Sequence, residues 1–95
     1  MENMVSLHAV VRGRVQGVGF RYWAHHTAKR FDGIMGRVRN LPDGSVEVDA
    51  ECRERAPLEA LLVELHQGPA AAEVEEVKAE WRENVPARYA GLRVD

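Results

Sequence analysis

The chain of 95 residues has a single cysteine, no apolar run of membrane-spanning length and no excess of positive charge. One thiol cannot close an internal disulfide, so stability has to come from packing. A membrane helix needs about 18 consecutive apolar residues, and no segment approaches that. Thirteen Lys and Arg against fifteen Asp and Glu leave a net charge of -2 and a pI near 6.1. That balance lacks the basic footprint of nonspecific nucleic-acid binding. Met1-Glu2-Asn3-Met4 has neither the basic start nor the apolar stretch of a secretory leader, and the expected compartment is the cytoplasm. The four histidines and the cysteine show no His-x-x-x-His or Cys-x-x-Cys spacing, and the adjacent His25 and His26 would point about 100° apart on a helix. No metal is expected. Repeats, low-complexity tracts and interdomain linkers are absent as well.

What is present suffices for one modest core. For a mass of 10.7 kDa, area scaling gives about 5,500 Å² of folded surface against about 15,500 Å² unfolded. A single domain spanning residues 1–95 follows, with no material for a second.

Val5, Leu7, Ala9 and Val11 occupy every second position and predict a half-buried strand. Gly13, Gly17 and Gly19 interrupt it within seven residues. Phe20, Trp23, Ala24, Thr27, Ala28 and Phe31 then recur at helical spacing, up to a stop at Asp32-Gly33. The run from Ile34 alternates again and ends at Asn40. Pro42-Asp43-Gly44 is a turn, and Val46, Val48 and Ala50 supply the returning strand of a hairpin. Pro57, read as the first helical residue, opens a second helix with Leu58, Leu61, Leu62 and Leu65 on one stripe, closed by Gly68-Pro69. Val77, Ala79 and Trp81 alternate, with Val74 out of register, which calls for a bulge or an earlier strand start. Leu92 to Val94 forms an edge strand. The order implies an α+β sandwich with two helices on one face of an antiparallel sheet. Trp23, Phe31 and Trp81 belong to its apolar stripes, whereas Glu73, Glu75, Glu76, Glu80 and Glu83 mark a solvated face.

The segment with most chemical content is Gly13-Arg14-Val15-Gln16-Gly17-Val18-Gly19-Phe20-Arg21, between strand and helix. Glycines let successive N–H groups converge in one concavity, and the helix start adds its positive end. Arg21 contributes a planar fork that matches two phosphate oxygens. No Gly-Lys-Ser/Thr follows, and Gly13, Gly17 and Gly19 lack dinucleotide-fingerprint spacing, so nucleotide binding is disfavoured. On physical grounds alone, an anion nest and a merely tight turn both remain open.

The same nine residues resemble the phosphate-binding signature of the acylphosphatase family. Gly36-Arg37-Val38-Arg39-Asn40, with Asp43-Gly44-Ser45-Val46-Glu47, is similar to its second block. Gly68-Pro69 and the Val74-x-x-Val77 spacing agree, and the likeness runs from about Val5 to Val94. It implies a ferredoxin-like βαββαβ fold and hydrolysis of an acyl phosphate to a carboxylate and inorganic phosphate, with no cofactor. Carried over by position, the N–H groups of Val15, Gln16, Gly17, Val18, Gly19 and Phe20 would bind the phosphoryl oxygens. Arg21 would clamp them, and Asn40 would position the attacking water. A neutral amide suits that post, because it donates and accepts hydrogen bonds without repelling an anion. The expected protein is a small monomer, and the charge balance and the lack of a long apolar run leave no nucleic-acid or membrane partner expected.

Two positions depart from the family pattern: Arg37 where an aromatic residue is common, and Cys52 where glycine is frequent after Glu51. Arg37 reads as a solvated strand residue or as a source of positive potential near the site. The alternative to an enzyme is a phosphate-binding or acyl-phosphate-sensing module without turnover. RNA binding, which other ferredoxin-like sheets perform, is opposed by the acidic balance and by the lack of a Lys/Arg-Gly-Phe-Gly-Phe strand.

Overall fold

A computed structural model describes residues 3–95. Met1 and Glu2, half of the segment read as lacking a leader, lie outside the described residues. The elements are β1 (Asn3–Arg14), α1 (Phe20–Ala28), β2 (Met35–Asn40), β3 (Val46–Cys52), α2 (Arg55–Gln67), β4 (Glu73–Pro86) and β5 (Leu92–Val94). They form one five-stranded sheet in the order β4-β1-β3-β2-β5. The exposed surface of 5542 Å² agrees with the area expected for this mass.

Cross-strand register explains the core. Leu7 faces Ala50, Ala9 faces Val48 and Val11 faces Val46 across β1 and β3, while Val38 faces Val48 across β2 and β3. These columns share one face of the sheet, and Phe20, Ala24 and Ala28 of α1 with Leu58, Leu61 and Leu65 of α2 join them in a single cluster. The architecture is the ferredoxin-like α+β sandwich expected, with one correction. The sheet is mixed, because β5 pairs parallel to β2. The chain leaves β4, crosses the helix-free face through residues 87–91 and enters β5 running in the direction of β2.

Three further details have local causes. Pro57 is the third residue of α2, which starts at Arg55. It still lies in the first turn, where a missing N–H costs no intrahelical bond. The first helix ends at Ala28, yet Arg30 and Phe31 donate to the carbonyls of Thr27 and Ala28, and this tighter turn keeps Phe31 against the core. For Val74 both readings hold. The strand begins at Glu73, and the register passes from Arg12–Glu76 to Gly13–Val74, so Glu75 is the extra residue of a bulge.

Candidate active site

Because β1, β3 and β2 alternate in direction and β5 follows β2, strands β1, β2 and β5 all run the same way. Their last residues, Arg14, Asn40 and Val94, therefore lie along one edge of the sheet. The loop from Val15 to Gly19 leaves from that edge and turns into α1. Its ends are pinned by the side chains of Val15 and Phe20, each 1% exposed. Those two residues offer an anion only their main chain. Between them, Gly17 and Gly19 have φ of 75° and 78° with open space where a Cβ would stand.

The start of α1 has the features of an anion site. Gly19 caps it without a side-chain hydrogen bond, and no acidic residue stands in its first turn. The first helical bond runs from Trp23 N–H to the Gly19 carbonyl at 3.0 Å, so the N–H groups before it have no intrahelical acceptor. Arg21 sits in that first turn, half-buried. Its Nη1 donates to the main-chain oxygen of Asp95 at 2.8 Å, and the N–H of Asp95 donates to the Val38 carbonyl at 2.9 Å. The Arg21 guanidinium is thus tied to β2 two residues before Asn40.

Asn40 faces Val46 at the end of the β2–β3 hairpin and shares the parity of Gly36 and Val38, on the helix side of the sheet. Its side chain is exposed and makes no hydrogen bond among the described residues. Both amide functions are available to a water molecule. A second tie reaches this hairpin from the loop. Gln16 Nε2 donates to the carbonyls of Leu41 and Ser45, 2.9 Å each. On the other side of the loop, Arg14 Nη2 donates to the Ala71 carbonyl at 3.2 Å. All the residues expected from the sequence therefore gather on three connected segments.

Some participants had no local signal. Asp95 enters only because β5 joins β2, and the Gln16 side chain only because the hairpin turn comes back to the loop. Arg37 is neither a lone solvated residue nor part of the nest. It lies on the helix-free face, 3.9 Å from carboxylate oxygens of both Glu47 and Asp95. Cys52 ends β3 as a buried thiol, 3.7 Å from the Asp32 carbonyl. A hollow of about 440 Å³ bordered by Ser6, His8, Asp49 and Arg88 lies on the helix-free face and includes neither Arg21 nor Asn40.

The family model for acylphosphatase matches residues 7–90. A curated acylphosphatase of Acaryochloris marina is 49% identical over 77 residues, which cover 81% of either chain. The crystal structure of acylphosphatase from Bacillus subtilis superposes with a TM-score of 0.88 at 26% identity, covering 96% of this chain and 98% of that one. An acylphosphatase structure from Coxiella burnetii gives 0.83 at 36% identity, with 98% and 94% covered.

Proposed function

The chain belongs to the acylphosphatase family, and from that premise we propose that water held by Asn40 attacks a phosphorus gripped by residues 15–20 and Arg21. The reaction class is hydrolysis of an acyl phosphate to a carboxylate and inorganic phosphate. In the proposed step the water oxygen bonds to phosphorus as the bond from phosphorus to the carboxyl oxygen breaks. The electron pair leaves with the carboxylate, and a non-bridging phosphoryl oxygen takes the water proton. No protein base is required, since phosphoryl transfer is driven largely by positioning and by stabilisation of charge on the equatorial oxygens.

The observation that supports this most is the double tie between the anion nest and the hairpin bearing Asn40, through Gln16 on one side and Asp95 on the other. Such ties hold nucleophile and electrophile in one frame, and orientation of that kind removes several kcal/mol, roughly 7 at the least in well-aligned systems, from a barrier. The contacts grip the phosphoryl group and leave the acyl portion unspecified, which suits a range of small acyl phosphates.

The protein works as a one-domain monomer in the cytoplasm. Strand β4, an edge of the sheet, supports the monomer. Glu73, Glu75, Glu76, Glu80 and Glu83 charge it, and bulges at Glu75 and at Glu83-Asn84, where Asn84 has φ 56°, twist it away from pairing.

The decisive experiment is hydrolysis of benzoyl phosphate by wild type, Arg21→Ala and Asn40→Ala, with excess chelator and folding checked by circular dichroism. Chelator-resistant turnover that both folded variants lose is the expected result. Phosphate binding without turnover in the wild type would replace the enzyme with a binding module.

A further inference from the structure

The Gln16 side chain stands apart from the other parts of the loop. The flanking residues Val15 and Phe20 anchor by burial, and the glycines supply open main chain, but Gln16 uses both N–H bonds of one amide nitrogen on main-chain acceptors outside its own segment. Its orientation is unambiguous, because both partners are carbonyls and only the NH₂ end can serve them. The acceptors are not arbitrary either. The Ser45 carbonyl also takes the N–H of Leu41, and the Leu41 carbonyl takes the N–H of Gly44. Gln16 therefore grips the two carbonyls that close the β2–β3 turn, one of them on the residue directly after Asn40.

We propose that the side chain of Gln16 has a positioning role, setting the register between the phosphate nest and the water held by Asn40 through its amide, which does not itself touch substrate. The inference rests on the reading of Asn40 as the water-positioning group. Among the described residues, no other side chain of the loop makes a hydrogen bond to this hairpin, and the recorded polar contacts of the hairpin tip are otherwise those of its own turn and ion pairs at the surface, such as Arg12 with Asp43 at 3.5 Å. Without the amide, the nest still forms from glycine conformation and the helix start. The distance from its phosphorus to the Asn40 water is then set by a turn free to shift. Misplacement by about 1 Å is enough to cost on the order of 100-fold in rate.

A role in register and a role in phosphate affinity have different signatures. Gln16→Met keeps the length and volume of the side chain and removes both donors, whereas Gln16→Ala removes the side chain. For each, kcat and KM with benzoyl phosphate, the Ki of inorganic phosphate and the melting temperature are to be measured beside the wild type. Both variants are expected to lose kcat by roughly 10- to 100-fold, with the phosphate Ki within about threefold of wild type, since the nest and Arg21 are intact. A kcat per folded molecule that stays at the wild-type value, with only a lower melting temperature, would overturn the proposal in favour of a stabilising role. So would a tenfold rise in Ki, which would make the Gln16 side chain part of the phosphate cradle.

The wild type supplies an independent check that no failure to fold can remove. The Gln16 side-chain NH₂ resonances should be protected from solvent exchange and stay so on saturation with phosphate. Loss of protection when phosphate binds would overturn the proposal. If wild type binds phosphate but does not hydrolyse benzoyl phosphate, the enzyme reading falls first and takes this inference with it. If wild type is active and the Gln16 variants match it, only the inference on Gln16 falls.

Discussion

Glu51, with no exposed surface, accepts the main-chain N–H of Arg88 at 2.8 Å across the helix-free face of the sheet. The same oxygen takes the N–H of Tyr89 at 2.9 Å, and Asp49 beside it holds the Arg88 guanidinium at 2.9 Å and the Tyr89 hydroxyl. Two carboxylates of β3 thus fasten the crossing that delivers β5, and through β5 the Asp95 oxygen that holds Arg21. A hydrogen bond to a charged group contributes about 1.5–3 kcal/mol. Glu51→Ala removes two of them and is expected to cost at least about 3 kcal/mol, read by urea unfolding. The phosphate Ki should rise as well, because the support of Arg21 loosens. A variant with unaltered stability would refute the fastening role.

Glu47 gives the stability a defined acid limit. Burial pushes its carboxyl pKa up, but hydrogen bonds from Arg39 at 2.6 Å and from His8 at 2.9 Å, with their charges, outweigh that and hold it below its ordinary 4.5. A carboxylate stabilised in the fold contributes fully above its unfolded pKa, and the contribution is lost as pH falls through the folded value. Glu47→Gln should therefore be less stable than wild type at pH 7, by about 1–3 kcal/mol. The difference should narrow below pH 4.5, toward the depressed folded value. Thermal unfolding of both proteins from pH 7 to pH 3 measures it, and a gap that widens with acid would contradict the assigned pairing.

Alternation and helical spacing were enough to place the strands, both helices and their shared face, because a half-buried element leaves its period in the sequence. The proposed nest rests on a different kind of signal: Gly17 and Gly19 with Arg21 form a local pattern, and nothing remote is needed to read it. The parallel pairing of β5 was not legible, since three residues, Leu92 to Val94, carry no direction. Neither were the partners of Gln16 and Arg21, which lie 25, 29 and 74 positions away along the chain. Contacts of that reach follow from topology, which period and spacing do not contain.

The glycines of the loop separate stability from activity. A Cβ on Gly13 would strike the main chain of Glu73 and Glu75 at the bulge of β4, whereas one on Gly19 would meet nothing within 4 Å. Gly13→Ala forces two paired strands apart and is expected to cost about 1–3 kcal/mol or more of stability. Gly19→Ala has room but has to hold φ near 78°, a strain of about 1–2 kcal/mol for a residue with a Cβ. It should leave much of the fold intact and weaken phosphate binding, because relief of that strain turns the N–H groups of the nest. Melting temperature and phosphate Ki measured on both variants should rank them in opposite orders.

Arg21 is held by one nitrogen, and in the proposed reaction the rest of its fork is left for substrate. Nη1 is engaged by Asp95, so the guanidinium is oriented before a phosphoryl group arrives, and such preorganised donors are worth about 2.7–4 kcal/mol each in a transition state. Arg21→Ala should lower kcat/KM by at least about 100-fold and raise the phosphate Ki, since the clamp touches ground state and transition state alike. Arg21→Lys keeps the charge but cannot both hold the Asp95 oxygen and present a bidentate face. It should fall between the two, recovering phosphate affinity more than kcat. Neither a guanidinium nor an amide changes protonation near neutrality, so wild-type kcat should be flat from about pH 6 to pH 8. A titration step near pH 6.5 in kcat would instead require a histidine in the proton transfer and would overturn the base-free step.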